Sequence, residues 1–277
     1  MIRVSTGTRP HRRTDAALVL AAMALAACSR GGSDWRSADT TAPQSAEESG
    51  YLKPPAVLAA SRSPDGAVVV AGRSTPSVRM RLSGPPPTGA AYGATANDKG
   101  DWSVTAPPSP EVRLFGVAEE LAGRDVQGEG YVALLPAPGP AGALLRAGGG
   151  ASVLAKAGGL KIAAMDFDSS GAAVISGLGR AGASARAVID GTAAGEARIN
   201  EHGRFSISLA APLRPGEHEA RVEAGDQVAS TKFTVEPPRA VSGLPYRGER
   251  TPQGWRVDWL TPGGGEQTTL IFDAAES

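Results

Sequence analysis

The sequence predicts an all-β protein: two β-sandwich domains in tandem and a C-terminal β-hairpin, preceded by a signal peptide and a disordered tether. Three observations predict this class. Two stretches about 105 residues apart repeat each other, short runs alternate apolar and polar residues between turns, and no long apolar stripe has helical spacing. The 36 Gly and 22 Pro among 277 residues supply turns, and the 41% of hydrophobic residues suffices for small cores.

The N-terminal segment 1–27 has the features of a secretory signal. Four arginines precede an apolar run over 16–27, which is shorter than the roughly 20 residues that span a bilayer. The run ends in Leu25-Ala26-Ala27-Cys28, which resembles the bacterial lipobox. The resemblance implies that Cys28 is acylated and becomes the first residue of the mature protein. Ordinary cleavage after Ala26 is the alternative, and it would leave Cys28 as a free thiol.

The lipobox resemblance also implies a location. Several acyl chains hold a protein at a membrane durably, whereas one binds reversibly. Ser29 follows the cysteine and no Asp stands there as an inner-membrane retention signal. We therefore expect a lipid anchor in the outer membrane facing the periplasm, with the cell surface as the alternative. Residues 28–54 are polar and predict a disordered tether with a reach of ~25–30 Å.

An internal repeat defines the two domains, predicted at 55–136 and 158–237. Residues 55–73 align without gaps on residues 160–178, so that Gly72 falls on Gly177. Further along, the stretch from Asn97 to Val104 aligns on the stretch from Asn200 to Ile207. Each copy has an Asn-x-x-Gly turn followed by an aromatic residue that we expect to fill the core. Self-similarity at a fixed offset indicates duplicated structural units.

Both copies predict seven short strands. Phe205 to Leu209 alternates strictly between apolar and polar residues, which indicates a strand with one buried face. Seven strands with turns between them are typical of an immunoglobulin-like sandwich. The predicted strands are 56–60, 67–72, 78–83, 91–96, 102–106, 112–118 and 130–135 in the first copy, and 160–166, 172–177, 183–189, 195–199, 204–209, 217–223 and 228–235 in the second.

The repeated turn and strand, Asn97-x-x-Gly-x-Trp-Ser-Val and Asn200-x-x-Gly-x-Phe-Ser-Ile, resemble a signature of bacterial Ig-like domains of cell-envelope proteins. The resemblance implies an Ig-like sandwich for most of 55–136 and 158–237. The chain departs from antibody domains because it has a single Cys and cannot form the buried disulfide. The first copy also carries an insertion, 118–130, which makes its last strand the least defined.

The segments outside the repeats differ in character. Residues 137–157 are rich in Pro and Gly and predict a linker, and Gly148 to Lys156 lacks the pattern of a phosphate loop. Residues 238–277 predict a hairpin in which Trp255, Val257 and Trp259 share one face. A lone hairpin is marginal in water, so we expect this one to dock on the second sandwich.

No catalytic residues are predicted. Beyond the signal peptide the histidines are His202 and His218, and neither lies in a motif such as Gly-x-Ser-x-Gly. We therefore expect no enzyme activity and no cofactor. Asp166 and Asp168 begin a stretch that is similar to a calcium loop, but the twelfth position is Gly177 rather than Glu. A turn capped by an Asp side chain is the alternative explanation, and these two residues remain the calcium candidates.

Two functions follow from these features. The first is a non-enzymatic lipoprotein whose Ig-like modules act as a spacer or adaptor for an envelope protein assembly. The second is binding of peptidoglycan or another polysaccharide through Trp255, Trp259 and Tyr246, since aromatic faces stack on sugars. The membrane, through the acyl chains, and an envelope protein or glycan are the expected partners. A balance of 28 basic and 28 acidic side chains argues against nucleic acid.

Overall fold

Nineteen antiparallel strands in four sheets build the part of the chain that the structure describes. The structure is a computed structural model and describes residues 52–87, 89–156 and 158–273. The predicted signal peptide, Cys28 and most of the predicted tether lie outside the described residues. All described residues belong to one compact unit.

The first repeat and the segment after it contribute nine strands, and each predicted strand of this repeat overlaps an observed one. They are β1 (Ala56–Arg62), β2 (Val68–Arg73), β3 (Arg79–Ser83), β4 (Ala91–Thr95), β5 (Asp101–Ala106), β6 (Arg113–Leu121), β7 (Arg124–Leu134), β8 (Gly142–Leu145) and β9 (Ser152–Val153).

The second repeat and the tail contribute ten strands, and the predicted strands of this repeat again overlap observed ones. They are β10 (Lys161–Asp168), β11 (Ala173–Leu178), β12 (Ser184–Ile189), β13 (Thr192–Arg198), β14 (Arg204–Ser208), β15 (Gly216–Ala224), β16 (Gln227–Val235), β17 (Tyr246–Thr251), β18 (Gly254–Leu260) and β19 (Glu266–Phe272).

Each repeat folds into an immunoglobulin-like sandwich of a three-stranded and a four-stranded sheet. In the first sandwich, sheet A has the order β1-β2-β5 and packs on sheet B, which contains β4-β3-β6-β7 and continues into β8-β9. In the second sandwich, sheet C contains β14-β11-β10 and continues into β19-β18-β17, and it packs on sheet D, of order β13-β12-β15-β16. The predicted all-β fold of two sandwiches is confirmed.

The repeat is visible in the turns as well as in the strands. The side chain of Asn97 accepts hydrogen bonds from the backbone N–H groups of Lys99 and Asp101, both at 2.9 Å. In the second sandwich Asn200 accepts equivalent bonds from residues 202 and 204, both at 3.0 Å. Gly100 and Gly203 have positive φ angles of 80° and 70°. The predicted Asn-x-x-Gly turns are therefore confirmed.

The aligned glycines explain how the aromatic residues fill the cores. Gly72 lies opposite Trp102, and Gly177 lies opposite Phe205. A Cβ atom on either glycine would meet the aromatic ring at 2.6 Å or 2.5 Å respectively, as well as a carbonyl oxygen of the neighbouring strand. Trp102 is 4% exposed and Phe205 is also 4% exposed. The small residue thus creates the space into which the ring packs, and the expected core role of both aromatic residues is confirmed.

The insertion of the first repeat lengthens a hairpin. β6 and β7 pair from Arg113 with Leu134 to Leu121 with Arg124. Ala122 and Gly123 form the connection, with positive φ angles of 51° and 74°, which suits the twist of a two-residue hairpin. The last two strands of the first sandwich are therefore longer than predicted.

The segment 137–157, predicted to be a linker, is instead part of the fold. β8 pairs with β7, and β9 pairs with β8, so both extend sheet B. All four residues of β8 are buried. The linker prediction was wrong because the glycines of this segment allow close packing rather than flexibility. Here Gly150 has a φ of 74°, and a Cβ atom on it would lie 2.6 Å from Ser206 Oγ, so the glycine permits a close contact with the second sandwich.

The tail forms three strands rather than two. β19 pairs with β10 in antiparallel register, from Ala164 with Ile271 to Asp168 with Gln267. β18 pairs with β19, and β17 pairs with β18. The tail therefore continues sheet C by hydrogen bonding at its edge. The tail thus docks on the second sandwich as expected, and Leu270 and Phe272 join its core, whereas the aromatic face of β18 lies on the other side of sheet C.

The four sheets stack in the order A, B, C, D with a hydrophobic core between each adjacent pair. One core, containing Trp102 and Val70, lies between sheets A and B. Another, containing Phe205 and Phe233, lies between sheets C and D. The third lies between sheets B and C and joins the two sandwiches; we call it the inter-sandwich core.

Candidate functional site

The aromatic residues proposed for glycan binding lie in the inter-sandwich core. Tyr246, Trp255 and Trp259 are 9%, 8% and 1% exposed. They pack with Leu135, which directly follows β7, and with Leu145 of β8, and both leucines lie outside the core of the first sandwich. Stacking on a sugar requires an exposed ring face, so these residues offer no platform for a glycan. The site proposal for them is corrected, and the glycan hypothesis loses its basis.

Polar and edge contacts fix the orientation of the two tryptophans. The indole N–H of Trp259 donates to Thr269 Oγ1 at 3.1 Å, and its ring meets Tyr131 edge-on with centroids 6.0 Å apart. The guanidinium of Arg250 lies 5.5 Å from the ring centre of Trp255. Tyr131 belongs to β7, so the aromatic contact crosses from one sandwich to the other. The tail therefore supplies aromatic contacts that bind the two sandwiches together.

Asp166 supports the same interface from β10. It is 1% exposed, and its carboxylate accepts hydrogen bonds from Ala151 N at 2.7 Å, from Thr269 Oγ1 at 2.6 Å and from Gln267 Nε2 at 3.2 Å. Burial raises the pKa of Asp166 to about 6, although these hydrogen bonds and the charge of Arg146 act in the opposite direction. The group is thus a buried carboxyl that ionises within the physiological range.

The glycine-rich turn before β9 is the part of the first sandwich that Asp166 holds. Ala151 donates its N–H to Asp166, and its carbonyl accepts from Ser176 Oγ at 2.5 Å. Ser206 Oγ donates to the carbonyl of Gly149 at 2.9 Å. Three side chains of the second sandwich therefore satisfy backbone groups of this turn, and the two groups of Ala151 would otherwise be buried without partners.

The two calcium candidates do not converge. Asp168 caps a turn, because its Oδ1 accepts from Ser170 N at 2.8 Å, from Ser170 Oγ at 2.6 Å and from Ala172 N at 3.1 Å. This is the predicted alternative of an Asp-capped turn. The carboxylate of Asp166 is occupied by the three donors described above. Within residues 52–87, 89–156 and 158–273, no group of three His, Cys, Asp or Glu side chains is placed to hold a metal ion.

The two histidines differ in their surroundings. His202 is exposed in its turn, 3.7 Å from Glu201. His218 stacks on Phe233, and its ring nitrogens contact Asp190 Oδ2 at 2.6 Å and the carbonyl of Arg214 at 2.7 Å. Burial lowers the pKa of His218, but these two bonds outweigh it and the net pKa is raised. Because both nitrogens face acceptors, neither is placed to take a proton from a nucleophile.

The opposite face of β18 is also buried, although its residues are charged. Arg256 and Asp258 are 4% and 2% exposed and pair with each other at 2.9 Å. Arg256 also donates to the carbonyls of Glu236 and Pro237, and Thr268 Oγ1 donates to Asp258 at 2.5 Å. The pair therefore anchors the segment that leads from β16 to the tail.

Sequence reasoning missed one cleft between the sandwiches. It has a volume of about 360 Å³ and is lined by Arg146 and Ser152 of the first sandwich and Arg204 of the second. We call it the arginine cleft. The two arginines are 58 residues apart in sequence and neither lies in a motif, so no local pattern indicates that they meet.

Comparison with known proteins gives structural likenesses alone. No protein-family model and no curated protein matches the chain. In the described residues no helix is long and apolar enough to cross a membrane.

Three solved structures show a weak likeness to this chain. The BSP domain of a biofilm associated protein is 16% identical over 68% of this chain, with a TM-score of 0.25. A 1.5-MDa bacterial ice-binding adhesin is 14% identical over 65% of this chain and 62% of its own, with a TM-score of 0.21. The central fibronectin-III array of RIM-binding protein is 13% identical over 79% of this chain and 89% of its own, with a TM-score of 0.25. The match spans 30% of the biofilm protein chain. These likenesses concern the fold alone.

Proposed function

We propose that this protein is a non-enzymatic, lipid-anchored module of the bacterial cell envelope that acts as a rigid spacer or adaptor for an envelope protein assembly. The observation that carries the proposal is the inter-sandwich core. Val257 and Ile271 are 0% exposed and Trp259 is 1% exposed. Rotating one sandwich against the other would expose these side chains to water, and each exposure would cost about 1.5–3 kcal/mol of free energy. A spacer depends on such fixed geometry.

The anchor is proposed from the sequence alone. The lipobox-like residues Leu25 to Cys28 support acylation, and the polar stretch behind them supports a tether to the outer membrane facing the periplasm. In cells given a labelled fatty acid, we expect label on the protein and none on the Cys28→Ser variant. A mature protein that partitions into water during detergent phase separation would contradict the anchor without affecting the spacer.

Rigidity can be measured by the distance distribution between two spin labels. Lys99 lies on an exposed turn of the first sandwich and Asp226 on an exposed turn of the second. With Cys28 replaced by Ser, labels at these two positions are expected to give one narrow distance. The control pair, Lys99 with Glu111, lies within the first sandwich. A distribution several times broader across the sandwiches than within one would show independent domains and would refute the rigid spacer.

The absence of catalysis has its own test. Purified protein is expected to turn over no substrate in a broad panel of hydrolase assays. Turnover that is abolished by replacing His202 or His218 would show an enzyme and overturn the non-enzymatic proposal.

In intact cells, crosslinking at the exposed charged face of sheet D, followed by mass spectrometry, identifies the envelope partner.

A further inference from the structure

The arginine cleft lies where the chain enters the first sandwich. Its lining includes Lys53 and Pro55, just before β1, and Asn200, in the turn before β14. Leu144 and Leu154, which also belong to the core of the first sandwich, add apolar surface. The cleft therefore combines charged and apolar groups from both sandwiches.

Both arginines are held in place by bonds to uncharged groups. Arg204 donates from Nη2 to the carbonyl of Leu58 at 2.8 Å, and Arg146 donates from Nη2 to Ser152 Oγ at 2.6 Å. In each of them Nε is buried and has no hydrogen-bond partner among the described residues. Arg113 Nε and the indole nitrogens of Trp102 and Trp255 are also buried without a partner in the described part of the chain, but the two donors of the cleft lie beside a cavity that can hold an acceptor.

The charge of the cleft is unbalanced. Lys53, Arg146 and Arg204 are positive, whereas Glu129 is the one carboxylate among the lining residues. Glu129 lies 4.0 Å from Arg146 and is largely exposed, with 72% of its side chain accessible, and no carboxylate of the described chain pairs with Arg204. Burial, together with the positive charge of Arg146, lowers the pKa of Arg204. A protein with equal numbers of acidic and basic groups thus concentrates positive charge at this point.

We propose that the arginine cleft is a binding site for a phosphate group. Guanidinium groups donate pairs of hydrogen bonds that match phosphate oxygens, and an ammonium adds charge. A phosphate carries up to two negative charges and accepts bonds from several directions, which suits two arginines, one lysine and the hydroxyl of Ser152. The phosphate could belong to a soluble ligand or to a lipid headgroup, since the proposed membrane tether joins the fold beside Lys53. The site stands independently of the spacer function.

The test is titration calorimetry, which measures the affinity of the full chain for inorganic phosphate and, separately, for acetate. We expect phosphate to bind, and the Arg204→Gln and Arg146→Gln variants to weaken its binding at least about tenfold. Arg186→Gln is the matched control, because Arg186 is exposed on β12 and lies outside the cleft. It removes the same charge and should leave binding unchanged.

A second arm identifies the source of the phosphate. The Cys28→Ser variant, which cannot be acylated, is mixed with vesicles of phosphatidylglycerol and phosphatidylcholine. Vesicle binding that Arg204→Gln abolishes assigns a lipid headgroup, and phosphate binding without vesicle binding assigns a soluble ligand. Either result supports the site. Absence of phosphate binding, acetate binding as tight as phosphate binding, or equal loss in Arg186→Gln would each overturn it. Circular dichroism of each variant checks that the fold is retained.

Discussion

Replacing Asp166 by Asn should change how the stability of the protein depends on pH. The carboxyl is 1% exposed, and burial raises its pKa from 3.8 to about 6. An elevation of this size corresponds to about 3 kcal/mol. Because the folded state holds the proton more tightly than the unfolded state, this stabilisation is fully present below pH 4. It is lost as the pH rises from about 4 to about 6.

The measurement is the free energy of unfolding by urea for the original chain and for Asp166→Asn, between pH 3.5 and 8. The difference between the two should change by up to about 3 kcal/mol across this range, with the original chain losing stability relative to the variant as the pH rises. Other titrating groups are common to both proteins and cancel in the difference. The absolute stability of the variant also includes the cost of placing an amide beside Ala151 N.

Asp168→Asn is the matched control, since Asp168 lies two residues further along the same strand and caps an exposed turn. This substitution removes one negative charge, as Asp166→Asn does, but the charge it removes caps an exposed turn. If the two variants gave the same pH profile, or if the Asp166→Asn difference were flat from pH 3.5 to 8, the assignment of a buried, proton-binding carboxyl to the inter-sandwich interface would be refuted.

Three further substitutions test the cores. Trp259→Ala should lower the free energy of unfolding by about 3–5 kcal/mol and broaden the distance distribution between the sandwiches, because it empties the inter-sandwich core. Gly177→Ala should cost about 1–3 kcal/mol, since the new Cβ would lie 2.5 Å from the ring of Phe205. Arg256→Met should cost about 3–5 kcal/mol, because it leaves the buried Asp258 without its ionic partner. Urea denaturation measures all three.

Each of these has a control. Val228→Ala, at a side chain that is 57% exposed, should change the free energy of unfolding by less than about 0.5 kcal/mol. Gly263→Ala introduces a Cβ with no atom within 4 Å and should be equally mild. The double variant Arg256→Met with Asp258→Leu removes both charges and should recover most of the loss. A double variant as unstable as Arg256→Met alone would contradict the role assigned to the ion pair.

The sandwiches themselves were predictable because their signals are local. Alternating apolar residues mark one buried face of a strand, and Asn-x-x-Gly marks the turn before the aromatic residue of the core. The repeat added independent support, since Gly72 and Gly177 align in sequence and perform the same packing role. The alternation and the turns require no knowledge of what lies more than a few residues away, and the repeat requires only a comparison of the sequence with itself.

The junction between the sandwiches was not predictable from the same signals. β19 pairs with β10 across about a hundred residues, and no local pattern specifies that partner. β18 alternates aromatic and charged residues, a pattern typical of a strand with one exposed face, yet Arg256 and Asp258 are buried and pair with each other. The arginine cleft likewise depends on Arg146 and Arg204 meeting between the sandwiches. Long-range pairing decides all three features.

The two repeats differ in the face that the four-stranded sheet turns away from its own core, and this difference is consistent with the order of the stack. In the first sandwich that face of sheet B carries Leu135 and Leu145, which need cover. In the second sandwich the corresponding face of sheet D carries Glu217, Glu219 and Arg221, which are exposed to solvent. Terminal units of stacked proteins need a polar outer face. The sequence thus makes sheet B an inner layer and its counterpart, sheet D, an outer one, and the tail supplies the surface that joins the two sandwiches.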